Sequence, residues 1–175
     1  MKVTFDSRDQ PALMIFAVGS GTFRLRPAQK PDLPAILRLL ADDRRGASRE
    51  DTGDLTPYEQ AFDAIHADPA HLLVVGELLG EGESVGPLVA TFQLSFIPGL
   101  SRRGSWRSQL EAVRVDRSLR GKGVGSAMIG WVVAESRRRG CSLVQLTTDK
   151  SRQDAHRFYE RLGFAASHEG MKLTL

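Results

Sequence analysis

The segment Arg120-Gly121-Lys122-Gly123-Val124-Gly125 sets three glycines at alternate positions among two cations. Glycine has no Cβ, so backbone amides there can approach a ligand directly. An extended stretch ending at Val115 precedes the segment, and a helical pattern begins near Gly123. The first turn of a helix carries N–H groups without intrahelical acceptors, and its aligned dipoles favour an anion. The chemistry this implies is the seating of a pyrophosphate or similar group on amides from about Gly121 to Ser126. Two other phosphate loops fit poorly. The nucleotide-hydrolase loop needs Gly-Lys followed by Ser or Thr, and here Gly123 follows Lys122. The dinucleotide fingerprint needs G-x-G-x-x-G, whereas this turn reads G-x-G-x-G.

The elements around the turn follow from periodicity. Phe23 and Leu25 alternate with Arg24 and Arg26, which predicts a strand ended by Pro27. Pro31 and Asp32 open a helix with Leu33, Ile36, Leu37 and Leu40 on one face. The polar stretch 42–55 reads as a loop, and a second helix is expected from about Pro57 to His66. Three strands, Leu72–Leu79, Leu88–Ile97 and Trp106–Val115, are joined by glycine-containing turns. A helix over Gly123–Arg138 ends in the basic run Arg137–Arg139 and is stopped by Gly140. A buried strand at Leu143–Thr147, a helix at Arg152–Leu162 and short strands at Phe164–Ala166 and Met171–Leu175 complete the chain. Ser151 is a candidate cap for the last helix. Strands alternating with helices in the C-terminal half indicate an α/β fold.

The 175 residues suit one domain, with 41% apolar and 26% charged residues. Residues 1–20 form an N-terminal extension, with Leu13–Val18 as a tail or an added strand. No secretory signal or spanning segment stands out, so a cytoplasmic location is expected, with no membrane partner. Cys141 is the only cysteine, which excludes an intrachain disulfide. The histidines at 66, 71, 156 and 168 lack metal-ligand spacing, so no metal is expected. The formal net charge is +3, yet residues 101–139 hold ten Lys or Arg against three Asp or Glu. Such a stretch attracts phosphate-bearing molecules. No aromatic array or reader motif accompanies it, so a nucleic-acid partner is not expected.

Arg120, Gly123 and Gly125 match the acyl-CoA pyrophosphate loop of the GCN5-related N-acetyltransferase (GNAT) superfamily, whose pattern is Arg or Gln, two residues, Gly, one residue, Gly or Ala. Val113-Arg-Val-Asp116 resembles that family's strand end. Asp154–Phe164, DAHRFYERLGF, resembles its second hallmark, and FRLRPAQKPDLPAI resembles its first strand and helix. The resemblance covers roughly residues 22–175. It implies a single acyltransferase domain over 21–175, with a mixed, mostly antiparallel, splayed sheet flanked by helices. It implies acetyl-CoA as co-substrate and a primary amine of a small molecule as acceptor, attacked directly in a ternary complex.

The resemblance also implies roles. Backbone amides at Val113 and Val115 would face the acyl-pantetheine arm, with Val115 meeting the thioester carbonyl or oxyanion. Arg120, Gly121, Lys122, Gly123, Val124, Gly125 and Ser126 would hold the pyrophosphate, and Phe158 would line the cofactor. Arg152 stands where the family often has Asn; it either reaches a CoA phosphate or is simply exposed. Tyr159 would protonate the departing thiolate. Glu111 is the candidate base, on one face with Val113 and Val115 by strict alternation, its carboxylate among apolar neighbours. Arg49, Glu50 and Trp106 are the candidate acceptor contacts. Alternatives are a peptide or protein acetyltransferase of the same fold and a non-enzymatic CoA-binding module. A homodimer is expected because the sheet has edges.

Overall fold

The computed structural model describes residues 11–42, 50, 53–80 and 85–174. They form a six-stranded sheet in the order β1-β2-β3-β4-β5-β6. The strands are β1 (Met14–Val18), β2 (Gly21–Pro27), β3 (His71–Leu79), β4 (Val85–Ile97), β5 (Trp106–Val115) and β6 (Cys141–Leu146). Neighbours are antiparallel except β5 and β6, which run parallel. The mixed, mostly antiparallel sheet expected from the sequence is therefore present. Parallel strands need a crossover, and the helix α4 (Val124–Arg138) supplies it.

Two helical layers cover the sheet. On one face, Val124, Met128, Ile129 and Val132 of α4 join a cluster with Phe23, Leu25, Val74, Phe92, Leu94 and Leu110. On the other, α1 (Leu33–Leu40) and α2 (Thr56–Ala67) bury Leu33, Ile36 and Phe62 with Val75 and Leu88. Helix α1 holds its apolar face inward as the spacing predicts. The β4–β5 link contains a single turn, α3 (Ser101–Gly104), with Arg102 and Arg103 left-handed.

The second layer changes the meaning of the alternation in β2. Phe23 and Leu25 face the α4 side, yet Arg24 and Arg26 are also buried, at 8% and 3% exposure. Glu77, paired directly across from Arg24, is fully buried and accepts from Arg24 Nε at 2.6 Å and from Arg26 Nε at 3.2 Å. Arg26 also makes a two-pronged contact to Asp32, at 2.7 and 3.0 Å. Burial opposes the charge on Arg26, and the carboxylates of Asp32 and Glu77 outweigh it, so its pKa is raised.

Two C-terminal expectations need correction. β6 spans Cys141–Leu146 and is only partly buried, because it pairs on one edge alone. Described residues after Gly163 form no strand. Met171 and Leu173 alternate as a strand would, but they are 95% and 87% exposed. A two-residue period makes a strand only where an edge receives it.

Candidate active site

The site is built where β5 and β6 part. Their ladder ends at Leu110 opposite Leu146, whereas β5 continues to Val115. Over that unpaired stretch β5 carries an extra residue. Gln93 pairs with Glu111 and Thr91 with Arg114, so three steps on β5 oppose two on β4. Ala112 absorbs the mismatch at φ 53°, a left-handed conformation that costs energy in a side-chain-bearing residue. This is a β-bulge, and it resets alternation. Glu111 and Arg114 share the face of Gln93 and Thr91, while Val115 lies across from Ala90 on the other. The shared face expected for Glu111, Val113 and Val115 therefore does not exist. Val113 and Val115 pack against the α4-side core, and Glu111 is exposed rather than set among apolar neighbours.

Past β5 the chain is locked by Asp116. Its Oδ1 accepts from the Ser118 amide and hydroxyl at 2.9 and 2.7 Å, and these bonds hold its carboxyl below the usual range. Its own amide donates to the Val89 carbonyl at 2.7 Å. Then the glycine turn opens. Gly121 and Gly123 are left-handed, at φ 77° and 82°, and a Cβ at either would meet nothing within 4 Å. Their surroundings are open in the way a phosphate cradle requires. Ala127 donates the first helical bond of α4, to the Gly123 carbonyl. The amides of Val124, Gly125 and Ser126 are thus without intrahelical acceptors, and no side chain caps them. These residues fit the diphosphate of a CoA thioester. Val124 itself is buried, so only its backbone is available. Arg120 and Lys122 are exposed; Arg120 reaches Asp42 at 3.4 Å, and Arg117 reaches it at 3.1 Å.

Gly125 serves a different purpose. A Cβ there would come within 3.2 Å of the Phe158 ring. The helix α5 (Gln153–Arg161) meets α4 at this point, and its Phe158 and Tyr159 pack against the core cluster that α4 enters. Tyr159 meets Phe158 and Phe164 edge-on, with centroids 5.1 and 5.6 Å away. Burial pushes its phenol up, against the opposing pull of Arg152 and Arg114. Ser151 does not cap α5; its amide and hydroxyl both donate to Asp149. Arg152 is exposed at the helix start.

The structure thus brings together the glycine turn, Phe158, Tyr159 and the end of β5. It sets Trp106 apart. Trp106 begins β5, nine residues from Val115, a span of about 30 Å at the usual strand rise. Glu50 accepts from the Tyr58 hydroxyl at 3.0 Å. Arg49 lies outside the described residues. Sequence reasoning missed the face that Arg114 takes, since no glycine or proline announces the bulge that sets it. Among the described residues no cluster of His, Cys, Asp or Glu could hold a metal. Among them, too, no helix is long and apolar enough to cross a membrane.

Comparison with known proteins agrees with this geometry. Residues 33–164 match the Acetyltransferase (GNAT) family. The aminoalkylphosphonate N-acetyltransferase of Salmonella typhimurium is 33% identical over 145 residues, spanning 82% of this chain and 86% of that protein. The glucosamine 6-phosphate N-acetyltransferase of Trypanosoma brucei brucei is 37% identical over 93 residues, spanning 53% of this chain and 61% of that protein. A solved structure described as a transcriptional regulator from Bacillus halodurans superposes with a TM-score of 0.79 at 41% identity, covering 87% of this chain and 99% of that one. With the family matched across most of its length and a splayed sheet leading into an open glycine turn, the chain belongs to the GNAT family and is an acetyl-CoA-dependent N-acetyltransferase.

Proposed function

We propose that the protein transfers the acetyl group of acetyl-CoA to the primary amine of a small molecule that also carries an anionic group, by direct attack in a ternary complex. The docking of Phe158 on Gly125 supports this reading, because Tyr159 is the next residue of α5 and packs with Phe158, Val113 and Val115 against the same core. The two curated relatives described above support the acceptor class, since their names specify a phosphonate-bearing and a phosphate-bearing amine.

The amine nitrogen attacks the thioester carbonyl carbon, and a C–N bond forms as the carbonyl electrons move to oxygen. The Val115 backbone amide is assigned to that oxyanion. Collapse breaks the C–S bond and leaves a thiolate. Tyr159 gives the thiolate its proton, and its raised pKa keeps the phenol protonated at neutral pH. The amine sheds one proton, which Glu111 takes through water. Its exposure suits a solvent-linked path better than direct contact. The proton gained by Glu111 and the one lost by Tyr159 balance through solvent.

A thiol-release assay tests both assignments. Tyr159→Phe should lower kcat about 100-fold, and Glu111→Gln about 10-fold, each with CoA affinity within about twofold of wild type. Unchanged turnover in Tyr159→Phe removes the phenol from proton donation.

A further inference from the structure

Polar side chains gather on the sheet face that turns away from α4. Leu73 and Val75 of β3 join the apolar cluster under α1 and α2, and their partners on β4 are Gln93 and Thr91. The polar neighbours along this face are answered within the protein. Thr91 Oγ1 donates to the Val74 carbonyl at 3.0 Å, the Ser95 hydroxyl meets His71 Nδ1 at 2.8 Å, and Gln145 Nε2 donates to Gln109 Oε1 at 2.7 Å. Gln93 and Glu111 differ. They stand directly opposite each other on β4 and β5, and neither side chain has a hydrogen bond or ion pair among the described residues. Gln93 is half-buried and Glu111 exposed. Opposed residues on antiparallel strands have Cβ atoms about 4.5–5.5 Å apart, so one small group can reach both. A half-buried amide without a partner has given up solvation that a ligand can restore. Glu111 is also the first residue of β5 past its ladder with β6, so the pair borders the unpaired stretch that ends at Val115.

We infer that Gln93 orients the acceptor amine: its Oε1 accepts one amine N–H while Glu111, across the strand, receives the proton that the nitrogen gives up. This inference rests on the acetyl-transfer reading above and adds a substrate contact to it. A neutral primary amine has two N–H bonds. One stays on Gln93 throughout and survives as the N–H of the product amide. The other proton leaves through water to Glu111 as the C–N bond forms. The nitrogen lone pair is left free for the thioester carbonyl. A secondary amine has one N–H and cannot serve both partners. The pair therefore selects a primary amine.

The test measures kcat/KM for 2-aminoethylphosphonate and for its N-methyl derivative, with thiol release as readout. Wild type should favour the primary amine by at least about 30-fold, as expected of a site built to accept an N–H. Gln93→Met keeps the length of the side chain and removes the acceptor oxygen. It should lower kcat/KM for the primary amine about 10-fold, the size expected for one lost hydrogen bond, and leave the N-methyl derivative within about threefold. CoA affinity, read by titration calorimetry, should stay within about twofold. Gln93→Glu keeps an acceptor oxygen and should recover most of the ratio. Gln93→Ala carries the same expectation as Gln93→Met where the latter does not fold. A wild type that takes both amines equally overturns the role of Gln93. So does a folded Gln93→Met variant with an unchanged ratio or an equal loss for both amines. Each of these leaves acetyl transfer standing. Absence of thiol release with every primary amine tried overturns the acetyl-transfer reading and this contact together.

Discussion

Arginine is used in two opposite ways at the two ends of this sheet. In β2, Arg24 and Arg26 are buried and answered by Glu77 and Asp32 within hydrogen-bond range. Around the glycine turn, Arg117 and Arg120 are 67% and 60% exposed and share one carboxylate, Asp42. The difference is one of solvation. A buried guanidinium must have its partners inside the protein, since an unpaired charge there is costly. An exposed one keeps water as a partner and can exchange it for an anion. The first group holds α1 to the sheet, and the second borders a turn whose amides are already open to a phosphate.

Breaking the buried group should have the largest effect. Glu77→Ala strips both arginines of their shared carboxylate and should cost about 3–5 kcal/mol of stability, read as a lowered midpoint in urea unfolding. A loss near zero would mean that water enters the cluster and that the two ends do not differ as described. Next in size is Gly123→Ala. It places a Cβ at φ 82°, straining the backbone by about 1–2 kcal/mol, and projects a methyl into the open cradle. CoA affinity, read by titration calorimetry, should fall at least about 10-fold, well beyond what the change in stability explains. Unaltered affinity would move the diphosphate off this turn. The smallest effect is expected from Asp42→Asn. This exposed pair contributes at most about 1 kcal/mol, so unfolding should barely shift. Releasing Arg117 and Arg120 should hold or modestly strengthen CoA binding at low salt, with the gain fading as salt rises. A large loss of stability instead would place this end in the same class as the buried one.

Much of the fold was legible because its signals are local. The β5 limits were read from strand-forming residues bounded by turns, and α4 and α5 from a helical period ending in Gly140 and Gly163. The glycine turn was legible for the same reason: left-handed backbone and free amides require glycine in a short stretch. The misreadings share another cause. Ala112 looks like any strand residue, and only the pairing of Glu111 and Arg114 against Gln93 and Thr91 shows the extra step. Arg24 and Arg26 look like an outward face until α1 covers them. Met171 and Leu173 carry a strand's alternation without a neighbour to pair with.

The chain's residue order settled which segments are helical or extended, where the glycine turn lies, and that Tyr159 follows it on a helix of its own. Each depends on dihedral preferences and spacing over a few residues. Tertiary packing decided which face Glu111 takes, that Arg24 and Arg26 are buried beside Glu77, and that Gly125 makes room for Phe158. Those outcomes arise from strand register and helix docking between residues far apart in the chain, where no local propensity acts.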